Sequence, residues 1–460
     1  MKRLAIVLLV LAGAGRASGQ TLTILHSFTG DRNEGANPQA GLAQGGDGNF
    51  YGTTEFWGEW ASGTVFRVSQ GGNFTNLASF NGIDGFFVQT GLVRGSDGNF
   101  YGTPNGGGTN GMGCVIRFTP NGGLTNLHSF TGLDGSLPYG VPVQGSDGNL
   151  YGTTYYGGTS GGWGSGNGAV FRISLDGAFA KLYSFGSQPN DGAHPYGGLV
   201  QGSDSNFYGT SSVGGLSNNG TVFRISPSGS LTTIYSFSGS AGANPACGLV
   251  AGGDGDFYGT TWSGGASNDG TVFQVSPEGT LTTLHSFSGG DGANPAAALV
   301  RGSDGNFYGT TYYGGTSNNG TVFQISPSGS FSNLYLFDGN GEPGRFAGLV
   351  QGSDGSFYGV TVNGGTNGQG SVYRLSVPLN PPANEIAGFK LLSVFDSSYA
   401  AILIPSVAGE TYRLQYSDSM NPTNWINTGE PVSSIGGSMT TFDLVEPMTP
   451  QRFYRFVITP

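Results

Sequence analysis

The stretch GSDGNFYGTTYYGG, residues 302–315, places a carboxylate in a glycine-rich turn ahead of a row of aromatic rings. Asp304, two residues from Asn306 and four from Tyr308, has the chemistry of a metal ligand or a general acid. Its equivalents recur as Asp47, Asp97, Asp147, Asp204, Asp254 and Asp354. An Asp in a tight turn has a simpler use, because its carboxylate accepts neighbouring backbone N–H groups. That local use accounts for all seven. The two acids of GGDGDFYG (252–259) lack the later Glu that completes an EF-hand loop, so no metal is assigned.

Histidine offers little more. His26, His128 and His285 occupy a repeat position that is Tyr183, Tyr235 or Tyr335 elsewhere. A position open to either ring reads as packing or surface. His194 replaces the Asn of a DGANP loop, and no His is set by spacing beside a nucleophile or a metal-binding cluster. No catalytic residue and no cofactor is assigned.

The remaining candidates are rings and acids in loops. Trp57 and Trp60 lie in the first unit, Tyr155, Tyr156 and Trp163 in the third, Trp262 in the fifth, and Tyr312 and Tyr313 in the sixth. Loops between units add Asp84, Asp134, Asp191 and Asp291 at equivalent positions. Exposed rings with polar neighbours mark binding surfaces. Flat rings stack on the apolar faces of sugars, and carboxylates hold hydroxyl groups. The expected ligand is a glycan or an extracellular protein. Two other readings stand beside it: a propeller enzyme acting on an extracellular polymer, and a purely structural surface protein.

These residues are positioned by a repeat. The buried-type Tyr recurs as Tyr51, Tyr101, Tyr151, Tyr208, Tyr258, Tyr308 and Tyr358, at intervals of 50, 50, 57, 50, 50 and 50 residues. Such a period signals a solenoid or a propeller. Each unit holds four strand-like segments, for example ALVRG, NFYGTT, GTVFQIS and FSNLYLF. Asp-Gly joins the first two, as in a tight hairpin, and Ser-Pro-Ser-Gly joins the last two. Seven units of four antiparallel strands without helices predict a seven-bladed β-propeller. The seventh unit stops after its third strand, SVYRLS, and the missing fourth appears at the other end as TLTILHSF (21–28). The N-terminal strand is therefore expected to complete the last blade and close the ring. In such a blade both faces are covered, which explains adjacent Phe307 and Tyr308 where a one-sided sheet would alternate.

Composition agrees with this all-β reading. Gly makes up 88 of 460 residues, charged residues only 10%, aromatics 12%. The net charge of −11 argues against nucleic acid, which demands a basic face. The start, MKRLAIVLLVLAGAGRASGQ, has the basic, apolar and small-residue zones of a leader cleaved near Gly19 or Gln20. A secreted or cell-surface location is expected, and no later apolar run is long enough for a transmembrane helix. Cys114 and Cys247 fall at small-residue positions three blades apart, too far to bridge, so both are expected as buried free thiols. The expected domains are a leader (1–19), the propeller (20–376), a Pro-rich linker (377–386), and a small β-sandwich (387–460) built from six short strand-like runs.

The units GLVQGSDGNFYGTT, GTVFRIS and LTTLYSF resemble the Gloeobacter/Verrucomicrobia-type (GloVer) tandem repeat of exported bacterial proteins, across about 21–376. The segments YRLQYSDSMNPTNW and RFYRF resemble a β-domain common at the C-terminal ends of exported proteins from such bacteria. The resemblance implies export and surface display, and brings no catalytic residues with it. The DGN-aromatic hairpin is also similar in style to streptogramin lyase propellers, whose His/Glu magnesium cluster has no counterpart here.

Overall fold

The computed structural model describes residues 20–158, 164–337 and 347–377 in full, and the backbone of six strands between 388 and 459. The leader expected at 1–19, the linker from 378 onward and Trp163 lie outside the described residues. The chain divides into two compact units, of which Gly19–Val377 is one. In the other, the six C-terminal strands pair as two three-stranded antiparallel sheets, at the positions of the six strand-like runs.

The unit Gly19–Val377 is a seven-bladed β-propeller, each blade a four-stranded antiparallel sheet. The sixth blade is typical: Val300–Arg301 innermost, then Phe307–Thr310, Thr321–Ile325 and Phe331–Leu336 outermost. The innermost strand is shorter than the five-residue segment expected. Near the axis the blades converge, and its glycines press on neighbouring backbones instead of extending the ladder. A Cβ on Gly248 would lie 3.0 Å from the Gly198 carbonyl oxygen, and one on Gly91 would lie 3.1 Å from that of Gly41.

Between blades, the Tyr of one second strand stacks on the Phe of the next. Tyr151–Phe207, Tyr208–Phe257, Tyr258–Phe307 and Tyr308–Phe357 have ring centroids 4.0–4.1 Å apart. Each such ring is essentially fully buried, which is worth roughly 1.5–3 kcal/mol per side chain. The glycine after Tyr makes this possible on the other face. A Cβ on Gly309 would stand 2.5 Å from the Phe323 ring. No blade could bury these rings alone, so each blade depends on its neighbours for stability.

The ring closes through Thr21–Ser27, which pairs antiparallel with Ser371–Ser376 in the order Thr21↔Ser376 to Ser27↔Ser371. Phe28 is fully buried in the same cluster as Phe50, Phe66, Tyr358 and Val372. The N-terminal strand thus supplies the outer strand of the seventh blade.

The turn carboxylates are structural. In every blade the Tyr hydroxyl donates to the Oδ2 of the turn Asp, at 2.6–3.0 Å. The Oδ1 accepts the backbone N–H two residues on, as from Asn306 to Asp304 at 3.1 Å. The carboxylate therefore ties the hairpin to the hydroxyl tip of the buried ring. Between them Gly305 takes φ 81°, a left-handed conformation that glycine adopts without steric cost.

Candidate functional site

The loops after each second strand and the loops between blades emerge on one face. There they surround the mouth of a central cavity of about 760 Å³, lined by residues of all seven blades. Two repeat positions build the rim. One follows the inter-blade Pro or its equivalent: Gln39, Gln89, Tyr139, Tyr196, Ala246 and Ala296. The other lies four residues after the buried Tyr: Glu55, Asn105, Tyr155, Ser212, Trp262, Tyr312 and Val362.

The scaffold is seven-fold, but its rim is not. In the first two blades it is polar. The Gln89 amide donates to Glu55 Oε1 at 2.6 Å, and the Gln39 amide donates to Oε2. Glu55 is only 4% exposed. Asn105, also buried, accepts the Gln89 backbone N–H at 3.3 Å and lies beside the Tyr139 phenol.

In the third and fourth blades the rim is aromatic. Tyr139 and Tyr196 stack with centroids 4.7 Å apart and planes 10° apart, and Tyr155 meets Tyr139 edge-on at 5.4 Å. Behind them His194 Nδ1–H donates to the Tyr155 carbonyl oxygen at 3.0 Å, and its ring stacks on the Tyr155 ring at 4.7 Å. The aromatic arc continues with Trp262 and Tyr312, 5.5 Å apart, and Tyr313. Burial raises the Tyr139 and Tyr155 phenols above their ordinary range, with neighbouring tyrosines adding to the effect. Burial, then Tyr139 and Tyr155, push Tyr196 up to about 12. These hydroxyls stay protonated at neutral pH and remain hydrogen-bond donors.

The residues singled out from sequence thus separate. Tyr155, Trp262, Tyr312 and Tyr313 line or border the cavity, and Tyr156 backs it against His194 at 5.0 Å. Trp57 and Trp60 project from the first-blade loop, 47% and 60% exposed. The four acids sit beside the outermost strands and serve their own loops. Asp134 accepts the Thr131 N–H and pairs with His128 Nε2 at 2.9 Å, and Asp291 does the same with Ser288 and His285. Asp191 accepts the Tyr183 hydroxyl at 2.6 Å, and Asp84 accepts the Asn81 N–H.

The histidines of this outer position lie flat on the first Phe of the next blade's outer strand. His128–Phe179 and His285–Phe331 have centroids 3.7 and 3.8 Å apart and planes within 6°. Among the described residues no group of three or more His, Cys, Asp or Glu side chains is placed to hold a metal ion. Cys114 and Cys247 are buried free thiols.

Sequence reading missed Gln39, Gln89, Tyr139, Tyr196, Glu55 and Asn105. The signal was present. The residue after the inter-blade Pro varies between amide, phenol and methyl while its neighbours repeat.

No curated protein matches the sequence significantly. Among solved structures the chain is similar to a lectin from Burkholderia pseudomallei, at 12% identity over 74% of this chain and 99% of that one, with a TM-score of 0.45. It is similar also to a gluconolactonase from Xanthomonas campestris, at 14% identity over 66% and 89%, with a TM-score of 0.40. The Gloeobacter/Verrucomicrobia repeat matches residues 16–202, 70–255 and 200–412, most of the chain. With that match and seven copies of one blade, the chain belongs to the Gloeobacter/Verrucomicrobia repeat family.

Proposed function

We propose that this propeller is the carbohydrate-binding module of an exported bacterial protein, and that the sugar sits at the mouth of the central cavity. One observation carries the reading: the rim opposes an arc of phenol and indole rings to an arc of amides around a carboxylate. A pyranose has the matching two sides. Its C–H face stacks on rings such as Tyr139 and Tyr196, and its hydroxyls exchange hydrogen bonds with Gln39, Gln89, Asn105 and Glu55. Concave, mostly apolar sites with a few convergent polar groups are where small ligands bind. Export rests on the leader-like start, and the C-terminal strands are read as an accessory β-sandwich.

The experiment is a glycan array with the chain lacking 1–19, followed by calorimetry on the best ligand. Tyr196→Ala and Tyr139→Ala are expected to weaken binding about tenfold or more, in line with about 1.4 kcal/mol per tenfold. Unchanged affinity in both variants removes the mouth as the site.

A further inference from the structure

The sixth residue after the buried Tyr is glycine in six blades: Gly107, Gly157, Gly214, Gly264, Gly314 and Gly364. All six take positive φ, between 80° and 91°. A Cβ on the first five would stand 2.4–2.7 Å from the inter-blade loop. In the first blade the residue is Trp57, still left-handed at φ 65°. A bulky residue in this conformation is an outlier that stores strain. The loop beneath, TGDRNEGAN, is two residues longer than NGIDGFF of the second blade, a length shared by GSQPNDGAH of the fourth, which keeps glycine at this position. Loop length alone therefore does not call for the indole, which the first blade holds half in water.

The indole has company. Phe56 and Phe87 meet edge-on at 5.7 Å, 37% and 44% exposed, and Phe87 is itself left-handed at φ 51°. Trp60 is 60% exposed. In the chain these rings adjoin the polar rim: Glu55, Phe56 and Trp57 are consecutive, and Gln89 of the rim lies two residues from Phe87. Two residues of chain span at most about 7 Å, so the rings start within that backbone reach of the rim. Acids punctuate the run, at Glu55 and Glu59, so the rings are spaced by polar groups. A dry protein interface favours a charge-depleted core, whereas a sugar chain offers alternating C–H faces and hydroxyls.

We propose that the first-blade platform of Phe56, Trp57, Trp60 and Phe87 is a second contact for the same ligand, which is therefore an oligosaccharide chain running from the mouth onto this platform. The inference rests on the carbohydrate reading of the mouth. It explains why strain is kept at Trp57 when glycine serves six other blades.

The test uses size-fractionated oligosaccharides, from two to eight units, of β-1,4-linked glucose, mannose and N-acetylglucosamine, with the array ligand added to the series. The parent is expected to bind hexasaccharide at least about tenfold tighter than disaccharide. Trp57→Gly, which restores the residue of the other blades, is expected to melt at or above the parent. It is expected to lose most of that length advantage while leaving disaccharide affinity unchanged, and Trp60→Ala to act in the same direction. Tyr196→Ala should weaken short and long chains alike. Affinity independent of length, or length dependence untouched in both Trp variants, overturns the platform and leaves the mouth standing. A Trp57→Gly variant that melts well below the parent also overturns it, since the indole is then a packing residue. A parent that binds no carbohydrate overturns both readings.

Discussion

Phe50 of the first blade stacks on Tyr358 of the seventh, with centroids 4.0 Å apart and planes 28° apart. Tyr151 and Phe207, inside the chain, meet at 4.0 Å and 26°. The interface where the chain closes on itself is the same as one where it runs continuously. Phe50→Ala and Phe207→Ala are expected to cost the same, about 3–5 kcal/mol each, measured by guanidinium unfolding. A much smaller cost at Phe50 means that the ring is open. Deletion of 21–28 is expected to lower the melting temperature sharply. A truncated protein that melts like the parent removes the closing role of this strand.

Neighbouring blades are also matched across the turn face. The Gln351 carboxamide accepts the Ser303 N–H of the preceding blade at 2.8 Å, and Gln144 and Gln201 do the same with Ser96 and Ser146. Where that Ser is glycine, as at Gly46 and Gly253, the next blade carries Arg94 or Arg301 instead. A Cβ on Gly253 would lie 2.5 Å from the Arg301 guanidinium. Gly253→Ser and Arg301→Gln are each expected to destabilise, and the double variant to recover. The expected coupling is about 0.5–1 kcal/mol by a double-mutant cycle. Additive losses break the pairing argument.

The outer ring position distinguishes role from residue type. His285→Tyr is expected to change stability by under about 1 kcal/mol, because Tyr183 and Asp191 already make the equivalent bond. His285→Ala loses both the Asp291 partner and the stack on Phe331, and is expected to cost about 1–3 kcal/mol. Equal effects in a denaturant series count against a shared ring-and-acid design.

Alkaline stability follows from the turn tyrosines. Burial, then the hydrogen bond to their Asp, push Tyr151, Tyr208 and Tyr358 up to about 12, against about 10 in an unfolded chain. A raised phenol stabilises fully below pH 10, and that contribution is lost as pH rises towards 12. Absorbance titration at 295 nm should show these phenols ionising together with the loss of far-UV dichroism. Ionisation of all 21 phenols near pH 10 in a folded protein contradicts the buried Asp–Tyr pairs.

The parts of the fold legible in the sequence are those made seven times. Asp-Gly turns, Phe-Tyr pairs and the displaced outer strand specify blades and closure without reference to anything distant in the chain. The rim was less legible, because its members are single residues such as Gln39, Tyr139 and Glu55, each embedded in a segment otherwise spent on scaffold. Their meeting depends on the curvature of the whole ring, which no local pattern encodes. The inter-blade acids misled for the opposite reason. Asp134 and Asp291 stand out in sequence, yet the outer strand's histidine and their own loop occupy them.

Thr21 and Ser376 are direct partners at the turn face, away from the mouth. The polypeptide therefore enters and leaves the ring at one point of its underside. The same arrangement sets a mechanical response. Load applied between the two ends would peel the closing pair apart one rung at a time, as a zipper opens, instead of shearing all rungs together.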